Sequence, residues 1–476
     1  MNKVQENLFF PSIFNDVLAP TTLGPSSSNT VGPWRIGAIV RQFATKPPRH
    51  VKIEMSRNGG FFETLYSMCS DKAFVAGILG EDLLKIDFDA IYDIAKRRNL
   101  EVTFIFSDRI ERIPTEMAEL TLQSDSETLT FTAVSLGGGE VVITKLNGQP
   151  CEIDGRKDLE VLIPGSDRVC KIRSIYPCRN MEAAVPLFCS SDEMLFYTER
   201  EDLPLWEAAI RYEESLTGES REEIWKRAEE TLKTSYTSIE KGMTRGITFD
   251  GITTAKAANF LEKENSVPQI DLGPARAGSL EALGIMEYSN AHGKIVCMPT
   301  GGAAGIIPAA IKNTAVGLKK SFEEQVKALL VAGLIGVFYY PTHYHGALGC
   351  QAEVGVAASM AAAGLACMLS EDPAAAERAA VLAMQCFIGQ ICDPIDGYTQ
   401  IPCFIRNVAS VPLAMTCANY GVLGLDTGVS LDEMAKATLR VGEKIREDRI
   451  SDCGTCMCKK SYDKERLWKN YSHFRG

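Results

Sequence analysis

Histidine and long basic or apolar runs are scarce in this sequence, and each scarcity argues against a class of protein. The 476-residue chain has only five histidines, which limits any mechanism that needs a histidine base or ligand. Its net charge is −11 and it has no run of five basic residues, so a general role on nucleic acid or anionic membrane is disfavoured. The apolar stretch 326–340 is interrupted by Lys327 and is too short to span a bilayer. Residues 1–20 lack a secretory pattern, so we expect a cytoplasmic protein that binds neither nucleic acid nor membrane.

Cysteine, by contrast, is abundant, with fifteen residues in the chain. In a short secreted protein such a count would indicate disulfides, whereas scattered cysteines in a long chain without a secretory pattern indicate a reducing compartment. Most of them are expected to be small buried hydrophobic residues. The question is which few of them carry chemistry.

Hydrophobic periodicity divides the chain into two parts of different class. Residues 1–155 have a mixed α/β pattern, with predicted strands at 51–55, 102–106, 117–122, 128–135 and 140–145 and predicted helices at 60–69 and 87–98. Residues 156–205 show no clear period and are interpreted as a connector. Residues 206–476 are predicted to be nearly all helical, with helices at 206–216, 221–242, 306–312, 322–339, 351–369, 373–390 and 408–421. The predicted fold class is therefore α+β, a mixed α/β domain followed by a mostly all-α domain.

Three cysteines of the helical part have unusual neighbours. Cys350, Cys392 and Cys403 are each flanked by Gly, Pro or Asp, which predicts helix ends or loops rather than helix interiors. Such positions offer free backbone N–H groups to a thiolate or sulfide. Thiolates are soft ligands that suit iron–sulfur clusters, and three of them would leave one iron of a cubane open to substrate. From the spacing alone, three buried structural cysteines are the favoured alternative.

Five motifs, in order, resemble those of the bacterial iron–sulfur-dependent L-serine dehydratases (L-serine ammonia-lyases). Residues 24–33, Gly-Pro-Ser-Ser-Ser-Asn-Thr-Val-Gly-Pro, are similar to the family's Gly-Pro-Ser-Ser-Ser-His-Thr. Residues 299–308, Pro-Thr-Gly-Gly-Ala-Ala-Gly-Ile-Ile-Pro, are similar to its Pro-Thr-Asn-Gly-Ala-Ala-Gly-Ile-Ile-Pro. The segments around Cys350, Cys392 and Cys403 match its cluster-ligand motifs. The resemblance spans essentially the whole chain, with a β-type domain at 1–155 fused to an α-type domain at 206–476.

The resemblance implies a [4Fe-4S] cluster on Cys350, Cys392 and Cys403, whose open iron takes the carboxylate and β-hydroxyl of a small amino acid. A base removes the α-proton, hydroxide leaves, and the enamine hydrolyses to pyruvate and ammonia without pyridoxal phosphate. A metal helps because it offsets the charge that develops on a poor leaving group. A homodimer is also implied. Two loops are expected to offer donors to the substrate carboxylate, through Ser26, Ser27, Ser28, Asn29, Thr30, Thr300, Gly301 and Gly302.

The residues around the expected substrate depart from the family pattern. Asn29 stands where the family has histidine, and Gly301 stands where it has asparagine. Met68 aligns with the family histidine that is thought to be the catalytic base, and methionine cannot take a proton. A base must therefore come from elsewhere.

Candidates for that base are His343 and His345, which precede Cys350, and the thiol of Cys69. The two histidines replace an acidic residue of the family. Histidines that only hydrogen-bond within a loop, and a Cys69 that is only a buried hydrophobic residue, are the structural alternatives.

The altered residues leave other functions open. A lyase of the same fold on a different substrate, for example an L-cysteine desulfidase, fits because sulfide leaves more easily than hydroxide. A catalytically degenerate cluster-binding paralogue also fits. A second concentration of cysteines, at Cys453, Cys456 and Cys458, has spacing that can bind metal or form a redox pair, or it belongs to a solvent-exposed tail turn.

Overall fold

Two hydrophobic cores organise the computed structural model, which describes residues 10–57, 59–108, 116–176, 185–264, 266–341, 348–392, 395 and 397–447. One core lies beneath a mixed β-sheet in the first part of the chain, and the larger core lies within the helices of the second part. This arrangement confirms the predicted α+β class.

The sheet has six strands in the order β3-β2-β4-β5-β6-β7. β2 and β3 pair in parallel, and all other neighbours are antiparallel. Its strands alternate buried and exposed side chains, as expected of a sheet with one face on a core. Their bounds are β2 His50–Ser56, β3 Glu101–Ser107, β4 Glu116–Gln123, β5 Thr128–Gly137, β6 Glu140–Leu146 and β7 Gln149–Ile153. The five predicted strands correspond to β2–β6 and are confirmed.

Four helices accompany the sheet, and two of them differ from the prediction. They are α1 Gly32–Phe43, α2 Gly60–Thr64, α3 Ser70–Leu79 and α4 Ile91–Arg97. The predicted helix 60–69 is wrong because the chain turns after α2 and Cys69 takes a left-handed conformation with φ 55°. The predicted helix 87–98 begins late because the Asp87 carboxylate accepts backbone hydrogen bonds from Asp89 and Ala90 and holds a turn there.

Packing crosses the predicted domain boundaries at both ends of the first domain. A hairpin of β8 Leu159–Leu162 and β9 Val169–Ile172 lies in the predicted connector, yet Ile172 is buried in the core beneath the sheet. At the other end, Ile13 and Val17 are buried in the helical core. The buried Glu213 carboxylate accepts hydrogen bonds from the Ser12 hydroxyl and from the backbone N–H of Ile13 at 2.8 Å, which fixes this N-terminal segment in place.

The helical part is built around one buried apolar helix. Its helices are α5 Ser191–Glu201, α6 Leu205–Thr217, α7 Arg221–Gly242, α8 Ala257–Lys263, α9 Pro274–Asn290, α10 Ile306–Leu318, α11 Phe322–Phe338, α12 Val354–Leu369, α13 Pro373–Gln385, α14 Cys403–Val422 and α15 Leu431–Glu447. Asp372 caps α13, and Ser430 forms a capping box with Glu433 before α15. Among the described residues, the stretch Cys350–Leu369 is long and apolar enough to cross a membrane, but 83% of its most apolar window is buried inside the protein.

The two parts are joined by a strand pair and by a buried charge cluster. β1 Thr21–Leu23 pairs with β10 Lys294–Val296, which brings the N-terminal segment beside the loop that precedes α10. Arg156 contacts Asp16 at 2.7 Å and Glu140 at 2.6 Å, and also donates to the Tyr340 hydroxyl at 2.9 Å. The sheet and the helices therefore meet along a fixed interface, and the candidate site lies on it.

Candidate functional site

The three cysteines of interest lie at helix starts or in a loop, as the sequence predicted. Cys350 begins a 3-10 turn, and Cys403 is the first residue of α14. Cys392 lies between them in the segment that leads to α14. Gly349 before Cys350 has φ 86°, and a Cβ there would lie 2.5 Å from the Gln390 carbonyl oxygen. Glycine is thus required for the chain to bring Cys350 close to the segment that carries Cys392.

The three thiols are close enough to affect one another electrostatically. The pKa of the Cys392 thiol is raised well above its ordinary value by a hydrogen bond with Cys350, by burial and by the charges of Cys350, Glu353 and Cys403. Arg406 Nη1 donates to Cys350 Sγ at 3.0 Å, which places a guanidinium beside the three thiols. Three neighbouring thiols of this kind cannot all ionise unless a cation offsets their charge.

The arrangement does not resemble a site for one ion. In the part of the chain that the structure describes, no group of three or more His, Cys, Asp or Glu side chains could hold a single metal ion. A cubane binds each of its protein ligands at a different iron, so its ligands need not converge on one point. The three cysteine thiols are therefore better suited to a multi-iron centre than to an isolated ion.

The loop before α1 is held in a defined shape by its own side chains. Ser26 Oγ accepts from the Asn29 N–H at 3.1 Å and starts the helical turn Ser27–Val31. Thr30 Oγ1 donates to the Met68 carbonyl at 3.0 Å. Of the predicted substrate-binding residues in this loop, Asn29 and Thr30 are thus engaged within the protein.

This loop touches the second predicted substrate-binding loop. The Gly301 N–H lies 3.4 Å from Ser27 Oγ, and a Cβ on Gly301 would come within 3.1 Å of the Ser27 backbone nitrogen. Ser28 lies farther from this contact, where its carbonyl accepts from Ser135 Oγ at 2.8 Å. The structure therefore brings Ser27 and Gly301 together, although they lie in different parts of the sequence.

Asn407 joins the second loop to the helix that carries Cys403. Its Nδ2 donates to the carbonyls of Gly302 at 2.8 Å and Cys403 at 2.9 Å, and its Oδ1 accepts from the Gly305 N–H at 3.2 Å. The loop runs directly into the N-terminus of α10, where unpaired backbone N–H groups and the helix dipole favour an anion. Thr300 Oγ1 is buried and lacks a well-formed hydrogen bond within the described residues, although its side chain faces Glu353. A donor surface for a carboxylate thus lies beside the thiol group.

The comparisons with known proteins agree with this architecture. Residues 15–137 match the family model of the serine dehydratase beta chain, and residues 200–450 match that of the serine dehydratase alpha chain. The chain belongs to the serine dehydratase family. It is 30% identical over 438 residues to the L-serine dehydratase of Mycobacterium bovis, covering 84% of this chain and 88% of that protein. It is also 29% identical to the L-serine dehydratase of Streptomyces coelicolor, covering 88% and 92%, and 26% identical to a probable L-serine dehydratase alpha chain of Bacillus subtilis, covering 54% and 86%.

Two carboxylates of this serine dehydratase family member were not predicted as site residues. Glu116, at the start of β4, accepts a hydrogen bond from Asn29, and its pKa is raised by burial and by the charge of Glu353. Burial also raises the pKa of Glu353, while the Thr300 side chain and the Arg406 charge lower it. Glu353 could have been found from its position in the motif Cys-Gln-Ala-Glu-Val-Gly. Glu116 carries no signal in the sequence, since only the fold brings it near Glu353.

Cys69 has a partner that the sequence analysis did not single out. Its Sγ lies 3.5 Å from His292 Nε2, and His292 Nδ1 lies 3.3 Å from the Gly24 carbonyl oxygen. The two residues come from different parts of the chain and meet beside the first substrate-binding loop. The sequence signal that pointed to Cys69 was its alignment beside the missing family histidine, and no such signal exists for His292.

The other predicted bases cannot be placed. His343 and His345 lie outside the described residues, and so do Cys453, Cys456 and Cys458. Their roles stay predictions from the sequence.

Proposed function

We propose that this protein is an L-serine ammonia-lyase that holds a [4Fe-4S] cluster on Cys350, Cys392 and Cys403 and converts L-serine to pyruvate and ammonia in the cytoplasm. The observation that carries the proposal is that Asn407 links the loop before α10, with its backbone donors, to the helix that carries Cys403. Membership of the serine dehydratase family supports it.

The residues present suit such a cluster. Helix starts at Cys350 and Cys403 and the Arg406 guanidinium supply the hydrogen-bond donors that stabilise thiolate ligands. When bound, a cluster with three cysteine ligands supplies an open iron that acts as a Lewis acid toward the leaving hydroxyl. The protein side chains must then bind, orient and deprotonate the amino acid.

The charges around the thiol group match a zwitterionic amino acid. The N-terminus of α10, with the Ser27 and Thr300 hydroxyls, suits the substrate carboxylate. Glu116 and Glu353 suit the α-ammonium group, because a nearby cation would offset the charge by which Glu353 raises the pKa of Glu116. A hydroxy acid without the ammonium group would lack this interaction, so an amino acid is the better substrate.

The substrate test uses anaerobically purified protein. We expect a brown preparation with about four irons and four sulfides per chain, and release of pyruvate and ammonia from L-serine. Threonine, cysteine and hydroxylated analogues are assayed in parallel. Faster sulfide release from cysteine would move the assignment to a cysteine desulfidase, which the loss of the family histidines would explain. A folded protein with iron but no turnover of any of these substrates would support a degenerate paralogue.

The ligand test compares two cysteine variants. Cys392→Ser is expected to lose iron, visible absorbance and activity, whereas Cys417→Ser, in the same helix as Cys403, should keep all three. Activity that survives in Cys392→Ser, or a fully folded anaerobic wild type without iron, would overturn the cluster assignment. The homodimer implied by the family stays a prediction for analytical ultracentrifugation.

A further inference from the structure

Resting on the proposed function, we propose that Cys69 and His292 form its proton-transfer pair, with Cys69 taking the substrate α-proton and His292 holding the thiol proton. The pair would replace the histidine that Met68 has displaced. Cys69 is assigned the catalytic role, and His292 acts through it as a positioning residue.

The hydrogen bonds fix which nitrogen of His292 can accept a proton. Nδ1 faces the Gly24 carbonyl at 3.3 Å, and a carbonyl can only accept, so Nδ1 carries the proton of the neutral ring. Nε2 is then an acceptor that faces Cys69 Sγ at 3.5 Å. The Phe88 ring packs edge-on against the imidazole with 5.4 Å between ring centroids and holds its plane.

Both residues adopt a backbone conformation that is uncommon outside glycine. Cys69 has φ 55° and His292 has φ 58°, in the left-handed region, which cysteine rarely adopts and histidine adopts more readily. Cys69 stands at the N-cap of α3 without making a side-chain cap, and His292 follows the end of α9, where glycine or asparagine is preferred. Local stability explains neither residue, and such exceptions cluster at functional sites.

The pair lies between the substrate-binding loop and the segment that carries the cluster cysteines. On one side, the carbonyl of Met68 and the hydroxyl of Ser70, which flank Cys69, bond to Thr30 and Asn29. On the other side, Ser67 Oγ donates to the Gly397 carbonyl at 3.0 Å, between Cys392 and Cys403. A substrate held by both elements would therefore lie beside Cys69.

The electrostatic environment keeps both groups neutral before the reaction. Burial raises the pKa of Cys69 to about 11. The charges of Asp71, Asp89 and Asp250 also raise it, and the charge of Lys72 lowers it. Burial lowers the pKa of His292, and so does the charge of Lys72. The Gly24 carbonyl and the charges of Asp89 and Asp250 act in the opposite direction. A neutral imidazole is free to accept the thiol proton at neutral pH.

The proposed step is balanced without a further reagent. The Cα–H bond breaks, its electron pair becomes the Cα–Cβ double bond, and the Cβ–O bond breaks to release hydroxide. The α-proton passes to Cys69 sulfur as the thiol proton passes to His292 Nε2. The imidazolium later returns its proton through Cys69 to hydroxide, giving water and 2-aminoacrylate.

The test is His292→Gly in the iron-loaded protein, with imidazole added back. Glycine accepts φ 58° without strain and leaves a cavity beside Cys69. We expect kcat for L-serine to fall about 100-fold or more, with KM and iron content nearly unchanged, and imidazole to restore part of the loss. The matched control is Asp202→Gly, which also introduces glycine at a left-handed position, φ 53°, but away from the site. Its kcat should equal that of the wild type with or without imidazole.

The pH profile separates proton transfer from a structural role. In the wild type, kcat should fall as the pH drops through the lowered pKa of His292, because imidazolium cannot take the Cys69 proton. In His292→Gly the fall of kcat that is due to His292 protonation should vanish. Instead, kcat should keep rising with pH up to the Cys69 pKa of about 11.

A His292→Gly variant with wild-type kcat and pH profile, or a loss that imidazole does not relieve, would overturn the pair. A wild type that carries iron but releases no ammonia would instead refute the proposed function. The two failures are therefore distinguishable.

Discussion

Replacing Asn407 with leucine should weaken the helical part and impair substrate binding together. Asn407 is fully buried, and its three hydrogen bonds join the loop before α10 to the first turn of α14. Leucine has a similar volume, so the change removes polar contacts without opening a large cavity.

The magnitude follows from those contacts. The two bonds donated by Asn407 contribute about 1 kcal/mol net each, and a buried Gly305 N–H left without a partner costs about 1–3 kcal/mol, so the free energy of unfolding should fall by about 3–5 kcal/mol. Because the loop would no longer be held in a fixed position relative to Cys403, kcat/KM for L-serine should fall on the order of 100-fold.

Anaerobic urea denaturation followed by far-ultraviolet circular dichroism measures the first effect, and steady-state pyruvate release measures the second. Asn313→Leu is the control, since Asn313 is also buried and bonds to the carbonyl four residues before it and to Glu281, but lies away from the site. We expect it to lose stability and keep the wild-type KM. An Asn407→Leu variant that loses stability and keeps both kcat and KM would refute the claim that this residue positions the site.

Three further predictions address the charges of the fold and the site. Arg156→Met should lower the free energy of unfolding by about 3–5 kcal/mol, because it leaves Asp16 buried without its cation and leaves Glu140 with Arg35 alone at 3.6 Å, whereas Arg49→Met breaks an exposed pair and should cost much less. Glu353→Gln should raise KM for L-serine about tenfold if the carboxylate binds the ammonium group, and an unchanged KM in substrate titrations would contradict that role. Burial raises the pKa of Glu213 from 4.5 to about 7, so its contribution to stability is full below pH 4.5 and is lost as the pH rises through 7. Glu213→Gln should remove this part of the pH dependence, and a difference in free energy of unfolding between wild type and variant that is the same at pH 4.5 and 7.5 would show that the carboxyl does not titrate there.

The sequence predicted the strands better than it predicted the residues that meet across the interface. Strands β2–β6 have alternating patterns that depend only on neighbouring residues, and they are confirmed. The helix expected at 60–69 forms only as far as Thr64, because the chain turns at 65–69 and reaches the left-handed Cys69 before α3 begins.

Contacts between distant residues could not be predicted from spacing. Cys69 and His292 are 223 positions apart, and neither belongs to a pattern that names the other. Glu353 likewise influences the charge of Glu116 only because the sheet docks on the helices. The motif likeness pointed to the loops at 26–30 and 300–302, and the fold decides which of their groups remain open to a ligand.

The path of residues 10–23 has a consequence for how the polypeptide can be divided. Ile13 and Val17 lie in the core formed by the later helices, and β1 pairs with β10, while the chain between 32 and 172 builds the sheet unit. If the chain is cut between the β8–β9 hairpin and α5, the two fragments should therefore associate, because the N-terminal fragment supplies part of the hydrophobic core of the C-terminal fragment. Co-expressed halves should reassemble without a peptide link, and a trailing half produced alone should aggregate through the groove left by its missing apolar segment.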